Sequence, residues 1–68
     1  MVIKIEVIGA EKKIIELDEN EITVREILKK LNLLSTEFVI IKNNMVVTED
    51  EIVRNGDIVK LYPVKSGG

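Results

Sequence analysis

Residues 55–68 read NGDIVKLYPVKSGG, and this stretch decides how the rest of the chain is interpreted. The Asn-Gly-Asp signal predicts a turn in which Gly56 takes a positive φ. The alternation after the turn predicts a strand over residues 58–62. Two sets of side chains should then face opposite sides of a sheet: Val59 and Leu61 towards a core, and Ile58, Lys60 and Tyr62 away from it.

The same stretch ends in a segment that should leave the sheet. Pro63 has no N–H, so we expect ladder pairing to weaken there. We therefore predict a domain of residues 1–63 followed by a flexible tail of residues 64–68. Gly67 and Gly68 make the end of this tail thin and pliable, with an ionised carboxylate on Gly68. A frayed terminus is often rich in glycine too, so this pair alone does not establish a function.

Hydrophobic periodicity before residue 55 predicts a hairpin, one helix and two more strands. Leu33 and Leu34 are expected to tuck the loop after the helix under the sheet. This order favours an α+β fold with one helix packed on one face of a mixed sheet. The predicted elements are strands over 3–7 and 13–17, a helix beginning at the capping-box pair Thr23 and Glu26 and stopping at Asn32, strands over 38–41 and 45–47 around an Asn43-Asn44 turn, and one helical turn at 52–54.

Composition excludes several classes of function. The chain has no cysteine and no histidine, which removes disulfides, thiol nucleophiles, zinc sites and the usual general base. The 10 basic and 12 acidic residues give a net charge of −2, and Phe38 and Tyr62 are the only aromatic residues, so we expect no direct nucleic-acid partner. The N-terminus alternates charged and apolar residues, which is not the pattern of a signal peptide or membrane span. We therefore expect a cytoplasmic protein with no membrane partner and no metal.

The order of elements, the Asn-Gly-Asp turn and the closing Gly-Gly together resemble the β-grasp, ubiquitin-like sulfur carriers. These are the thiamine-biosynthesis sulfur carrier protein and the small subunit of molybdopterin synthase. The resemblance spans essentially all 68 residues and is most specific over residues 55–68. It implies a β-grasp fold with a mixed sheet of four to five strands. Many small subunits have two consecutive prolines and more aromatic residues where this chain has Tyr62-Pro63-Val64, which weakens assignment to the molybdopterin branch. The thiamine carriers also tend to be about this short, so the pathway stays open.

The resemblance also implies a function for the tail. In that family an ATP-dependent, E1-like activating enzyme adenylates the C-terminal carboxylate, which then becomes a thiocarboxylate. A persulfide on another protein supplies the sulfur, and a synthase or a transfer RNA base accepts it. Carried over by residue, Gly68 would hold the adenylate and the thiocarboxylate, Gly67 would let the tail enter the partner's channel, and Ser66 and Lys65 would complete the recognised tail.

The carrier would itself be no enzyme and would bind no cofactor, since the partner uses the ATP. The chain lacks a phosphate-binding G-x-x-x-x-G-K-[ST] loop, so activation has to come from another protein. Ser66 has no base to activate it and reads as a spacer.

Three function classes stay open at the level of sequence. The first is a sulfur carrier, the second a ubiquitin-like modifier joined through Gly68 to lysines, and the third a plain β-grasp binding module. The surface carrying Ile58, Lys60 and Tyr62 also has two interpretations. It is either an ordinary solvated sheet face or a docking patch for the activating enzyme beside the tail.

Overall fold

The computed structural model describes residues 1–9 and 11–64, which form seven strands, one α-helix and a 3-10 turn. In chain order the elements are β1 (Ile3–Val7), β2 (Lys13–Leu17), β3 (Glu21–Thr23), α1 (Val24–Leu31), the 3-10 turn (Ser35–Glu37), β4 (Phe38–Lys42), β5 (Met45–Val47), β6 (Ile52–Arg54) and β7 (Ile58–Pro63).

The main sheet is mixed and has the strand order β2-β1-β7-β4-β5. Its two central strands, β1 and β7, are parallel, while β2, β4 and β5 each pair antiparallel with their neighbours. Strands β3 and β6 form a separate two-stranded sheet. This arrangement of five strands and one helix confirms the predicted α+β, β-grasp fold.

The core lies between α1 and one face of the main sheet. Both strands of the central pair present alternate residues to this core, as their period-two patterns predicted. No charged or polar side chain is buried within residues 1–9 and 11–64. The buried core residues are Ile3, Ile5, Ile22, Val24, Ile27, Leu28, Ile40, Val53, Val59 and Leu61.

Helix α1 begins and ends where its sequence signals predicted. The Glu26 N–H donates to the Thr23 hydroxyl oxygen across 3.2 Å, and the Thr23 N–H donates to the Glu26 carboxylate across 3.1 Å. This reciprocal capping box satisfies two helix-start N–H groups. Asn32 ends the helix in the left-handed region, with φ 60°. The helix has eight residues, and nowhere in the described part of the chain is a helix long and apolar enough to cross a bilayer.

The helical turn predicted at residues 52–54 is wrong, because these residues form strand β6. They pair antiparallel with β3, a strand that was not predicted. Val53 lies opposite Ile22 in this pair, and both side chains are buried. Burial of this apolar pair favours the strand, and its partner lies about thirty residues away along the chain, beyond the reach of a local pattern.

The segment before β6 has the same Thr-x-x-Glu spacing that begins α1, yet it starts no helix of its own. Its carbonyl groups instead complete the start of α1. The Glu51 carbonyl accepts from Val24 N–H and the Glu49 carbonyl accepts from Arg25 N–H, each across 2.9 Å. Together with Thr23, they satisfy the first three N–H groups of the helix.

Leu33 and Leu34 were both predicted to pack under the sheet, and only one of them does. Leu33 packs against the core, but Leu34 is 62% exposed. The 3-10 turn begins directly after Leu34, and the Leu34 carbonyl accepts from Glu37 N–H across 3.0 Å. The turn thus holds the Leu34 backbone while its side chain faces solvent.

Candidate functional site

The three predicted docking residues lie together on the sheet face that turns away from α1, here called the outer face. Strand β7 alternates as predicted, because Val59 and Leu61 are fully buried while Ile58 and Tyr62 are 39% and 37% exposed. Lys60 lies between Ile58 and Tyr62 and is half-buried. The structure therefore brings the three side chains onto one surface at the centre of the sheet.

Strand β4 adds two apolar residues that the sequence analysis did not assign to this surface. The register places Val39 opposite Tyr62 and Ile41 opposite Lys60, so both belong to the outer face. Val39 is 40% exposed. The continuous apolar run of residues 38–41 concealed them, since it is also typical of a strand covered on both sides. The predicted fold has only one main helix, and a single helix covers a single face of the sheet. This was the available signal that the other face of β4 is uncovered.

On the β1 side of β7, the outer face is charged. The register of the parallel pair places Glu6 of β1 beside Lys60, and Lys4 beside Ile58. Lys12 binds the Glu6 carboxylate across 3.1 Å. This hydrogen bond, helped by the positive charges of Lys12, Lys60 and Lys4, lowers the pKa of Glu6 against the opposing effect of desolvation. The outer face thus has an apolar half over β4 and β7 and a charged half over β1.

A shallow depression of about 330 Å³ lies where β4 and β7 meet the turn between β4 and β5. Ile41, Ile58 and Lys60 line it from the strands, and Asn43 and Asn44 line it from the turn. Its walls combine aliphatic carbon with amide and ammonium groups. A protruding side chain of a partner protein could fill it, with Lys60 available to a carboxylate.

A hydrogen-bonded junction fixes where β7 begins. Asp57 accepts from Arg54 N–H across 2.8 Å and from the Asn43 side-chain amide across 3.0 Å. The Asn43 side chain in turn accepts from Ile58 N–H across 3.0 Å. The Arg54 bond, followed by the Asn43 bond, holds the pKa of Asp57 below its usual value. Gly56 takes a φ of 94°, which confirms its predicted positive value.

Pro63 affects the two sides of β7 differently. On the β1 side, Ile8 N–H donates to the Leu61 carbonyl across 2.8 Å, and the next bond of that parallel series would come from residue 63. Proline has no N–H to donate, so pairing with β1 stops there. On the β4 side, Pro63 lies opposite Phe38, and Val64 N–H donates to the Glu37 carbonyl across 2.9 Å. The antiparallel ladder therefore continues to Val64.

The last described residue, Val64, is 51% exposed, and Tyr62, two residues before it, is 37% exposed. Lys65, Ser66, Gly67 and Gly68, the predicted tail residues, lie outside the described residues. Val64 lies at the same end of β7 as Tyr62 and at the opposite end from Ile58.

The described side chains offer binding groups more than catalytic ones. Over residues 1–9 and 11–64, no cluster of three or more acidic side chains could hold a metal ion. Besides Glu6 on the outer face, three carboxylates have lowered pKa values, and structural hydrogen bonds hold them: Glu26 is held by Thr23, Glu49 by Arg25 and Ser35, and Asp57 by Arg54 and Asn43. They cap a helix, join loops and fix a turn.

Comparison with known proteins gives these features a context. Residues 5–68 match the model of the ThiS family, which covers nearly the whole chain. The chain is also 34% identical, over all 68 residues of both proteins, to an uncharacterized protein of Archaeoglobus fulgidus. Members of the ThiS family are small β-grasp carrier proteins with a sulfur-carrier role in biosynthesis. The fold, the extent of the match and the closing Gly-Gly agree, and this chain belongs to the ThiS family.

Proposed function

We propose that this protein carries sulfur as a thiocarboxylate on Gly68, for thiamine or molybdopterin biosynthesis or for thiolation of transfer RNA. The observation that carries the proposal is the family match, which extends through residue 68 and so includes the Gly-Gly end. A match confined to the β-grasp domain would have supported a plain binding module equally well.

The proposed chemistry begins with a carboxylate, which is a poor electrophile. The Gly68 carboxylate attacks the α-phosphorus of ATP and displaces pyrophosphate, which leaves a mixed anhydride with AMP. The terminal sulfur of a persulfide attacks the anhydride carbonyl carbon, and AMP leaves. A thiol then reduces the sulfur–sulfur bond of the acyl disulfide, which leaves the thiocarboxylate on Gly68. The activating enzyme, a persulfide protein and a sulfur-accepting synthase are thus the proposed partners.

The geometry of β7 supports a role for the domain in presenting its end. Val64 is the last described residue that bonds to the sheet, and the sequence has four residues after it. A fully extended segment of that length spans at most about 14 Å. The adenylating site of the partner must therefore come within that distance of Val64. A narrow approach suits Gly67 and Gly68, which have no side chains to clash with the walls of a channel.

The outer face supports the docking part of the proposal. An apolar surface lies beside Lys60. It consists of the exposed side chains of Val39, Ile58 and Tyr62 and the half-buried side chain of Ile41. Apolar and aromatic residues around a charged group are typical of protein interfaces, in which tyrosine contributes strongly. Tyr62 lies two residues before Val64, so a partner bound here would already be next to the tail.

Activation in vitro tests this function. The full chain is incubated with the activating enzyme of its own organism, ATP and labelled pyrophosphate, and ATP–pyrophosphate exchange is measured. We expect exchange with the full chain and none with a chain lacking Gly68 or with Gly68 capped as an amide. Circular dichroism of the two variants serves as the control for folding. Exchange that survives removal of Gly68 would contradict the proposal.

A further inference from the structure

We propose that strand β5 pairs with β5 of a second copy of this chain, so that two five-stranded sheets join edge to edge. This proposal is independent of the sulfur-carrier function. It rests on the hydrogen-bonding pattern of β5 and on the residues at that edge.

The free edge of β5 is centred on Val46. Asn43 and Asn44 form a two-residue turn with φ values of 48° and 71°, as in a type I′ hairpin, and Lys42 and Met45 close it. The residues that close such a turn form a hydrogen-bonded pair, so the next pair, Ile41 and Val46, is not hydrogen-bonded. The backbone N–H and C=O of Val46 therefore point away from β4.

A second hydrogen bond supports this assignment independently. Asn43 N–H donates to the Ile58 carbonyl across 2.9 Å, which directs the backbone of Asn43 towards β7. Because strand residues alternate in direction, Ile41 also directs its N–H and C=O towards β7. Ile41 therefore has no backbone N–H or C=O group directed towards Val46. Within the described part of the chain, no hydrogen bond beyond the ladder engages the Val46 backbone.

The side chains at this edge are apolar and exposed. Val46 is 73% exposed and Met45 is 69% exposed, and β5 contains no charged residue. The opposite edge of the sheet differs, since strand β2 carries Lys13 and Glu16 among its five residues. Charged side chains on an edge strand discourage pairing with another chain, whereas an uncharged apolar edge favours it.

A two-fold axis at Val46 gives each residue a compatible neighbour. Val46 would exchange two N–H···O=C bonds with Val46 of the second copy, and their side chains would touch on the outer face. On the other face, Met45 of each copy would lie opposite Val47 of the other copy. Such a contact is self-complementary about a two-fold axis, as in most homodimers.

The contact is small, and the dimer should be weak. Two direct hydrogen bonds and a few apolar side chains fall below the size of a standard stable interface. We therefore expect a reversible equilibrium that depends on concentration, with the mass rising from 7.7 kDa towards twice that value.

Sedimentation velocity between about 10 μM and about 2 mM tests the proposal, since this range covers weak affinities. The wild-type mass should rise over this range. Val46→Pro removes the outward N–H without removing a bond to β4, and it should stay at 7.7 kDa throughout. Val46→Thr keeps the N–H and the β-branched shape, and should associate as the wild type does. Circular dichroism checks that Val46→Pro is folded.

Val46→Lys is the second test, in case proline disturbs the hairpin. It leaves the backbone unchanged but places two ammonium groups against each other at the axis, and it should also stay at 7.7 kDa. A wild-type protein that remains at 7.7 kDa at the highest concentration would overturn the proposal. So would association that survives both Val46→Pro and Val46→Lys, or association lost in Tyr62→Ala, because either result places the contact elsewhere.

Discussion

The backbone N–H of Val64 donates to the Glu37 carbonyl across 2.9 Å, one residue beyond Pro63. This bond holds Val64, four residues before Gly68, against the residue that precedes β4. Val64→Pro removes the donor, and the loss of one hydrogen bond of about 1 kcal/mol should lower kcat for adenylation about fivefold. KM should be unchanged, because the outer face is intact.

Val64→Ala is the matched control, since it shortens the side chain but keeps the N–H. Steady-state kinetics of ATP–pyrophosphate exchange separate the two parameters. Equal kcat values for the proline and alanine variants would show that the bond to Glu37 does not position the tail.

Substitutions on the outer face should change KM rather than kcat. Tyr62→Ala and Lys60→Glu should each raise KM for the activating enzyme about tenfold, a loss of about 1.4 kcal/mol in binding. Once the complex forms, kcat should be nearly normal. Lys29→Glu makes the same charge change on the exposed side of α1, away from the outer face, and should leave KM as it is. Equal effects of Lys60→Glu and Lys29→Glu would indicate general electrostatics rather than docking.

Acid should weaken the junction before β7. Hydrogen bonds from Arg54 and Asn43 hold the pKa of Asp57 below its ordinary value of 3.8, so the ionised carboxylate stabilises the folded state at neutral pH. A lowered folded-state pKa means that this stability is present above the unfolded pKa and disappears as pH falls through the folded one. Asp57→Asn should cost about 1 kcal/mol at pH 7 and progressively less below about pH 4.

Urea unfolding at a series of pH values measures this difference. Asp18→Asn removes a negative charge from the exposed connection after β2 and serves as the control. A constant gap between Asp57→Asn and the wild type, from neutral to acid pH, would exclude the ionised carboxylate as its source.

The two Thr-x-x-Glu spacings allow a matched test of capping. Thr23→Ala should destabilise the fold by about 1 kcal/mol, because it removes the acceptor for Glu26 N–H at the start of α1. Thr48 is exposed, and within the described residues its hydroxyl makes no hydrogen bond, so Thr48→Ala should change stability by less than about 0.5 kcal/mol. Chemical denaturation of both variants compares them directly. Equal losses would contradict the assignment of the capping box to Thr23 alone.

Local signals predicted the elements that depend on local interactions. The capping box at Thr23, the end of the helix at Asn32 and the positive φ of Gly56 each follow from a few neighbouring residues. The alternation of β7 also predicted which side chains reach the core. These features depend on local residue types and on hydrophobic periodicity, and both can be read from the sequence.

Features that depend on distant partners were not predicted. β6 looked like a helical turn because its partner, β3, lies far away along the chain, and a three-residue segment carries little pattern of its own. Val39 and Ile41 joined the outer face only through their register with β7. Pro63 was expected to weaken the ladder, but its effect depends on which neighbour its nitrogen faces. Pairing ends beside β1 and continues beside β4.

The mass of the intact protein isolated from its own cells shows directly whether Gly68 carries sulfur. We expect a fraction in which sulfur replaces one oxygen, with fragmentation placing the change on Gly68. Unmodified protein in cells that are actively making the sulfur-containing product would contradict it. So would recovery of Gly68 only as a Gly-Gly remnant on lysines of other proteins, which is the mark of a modifier.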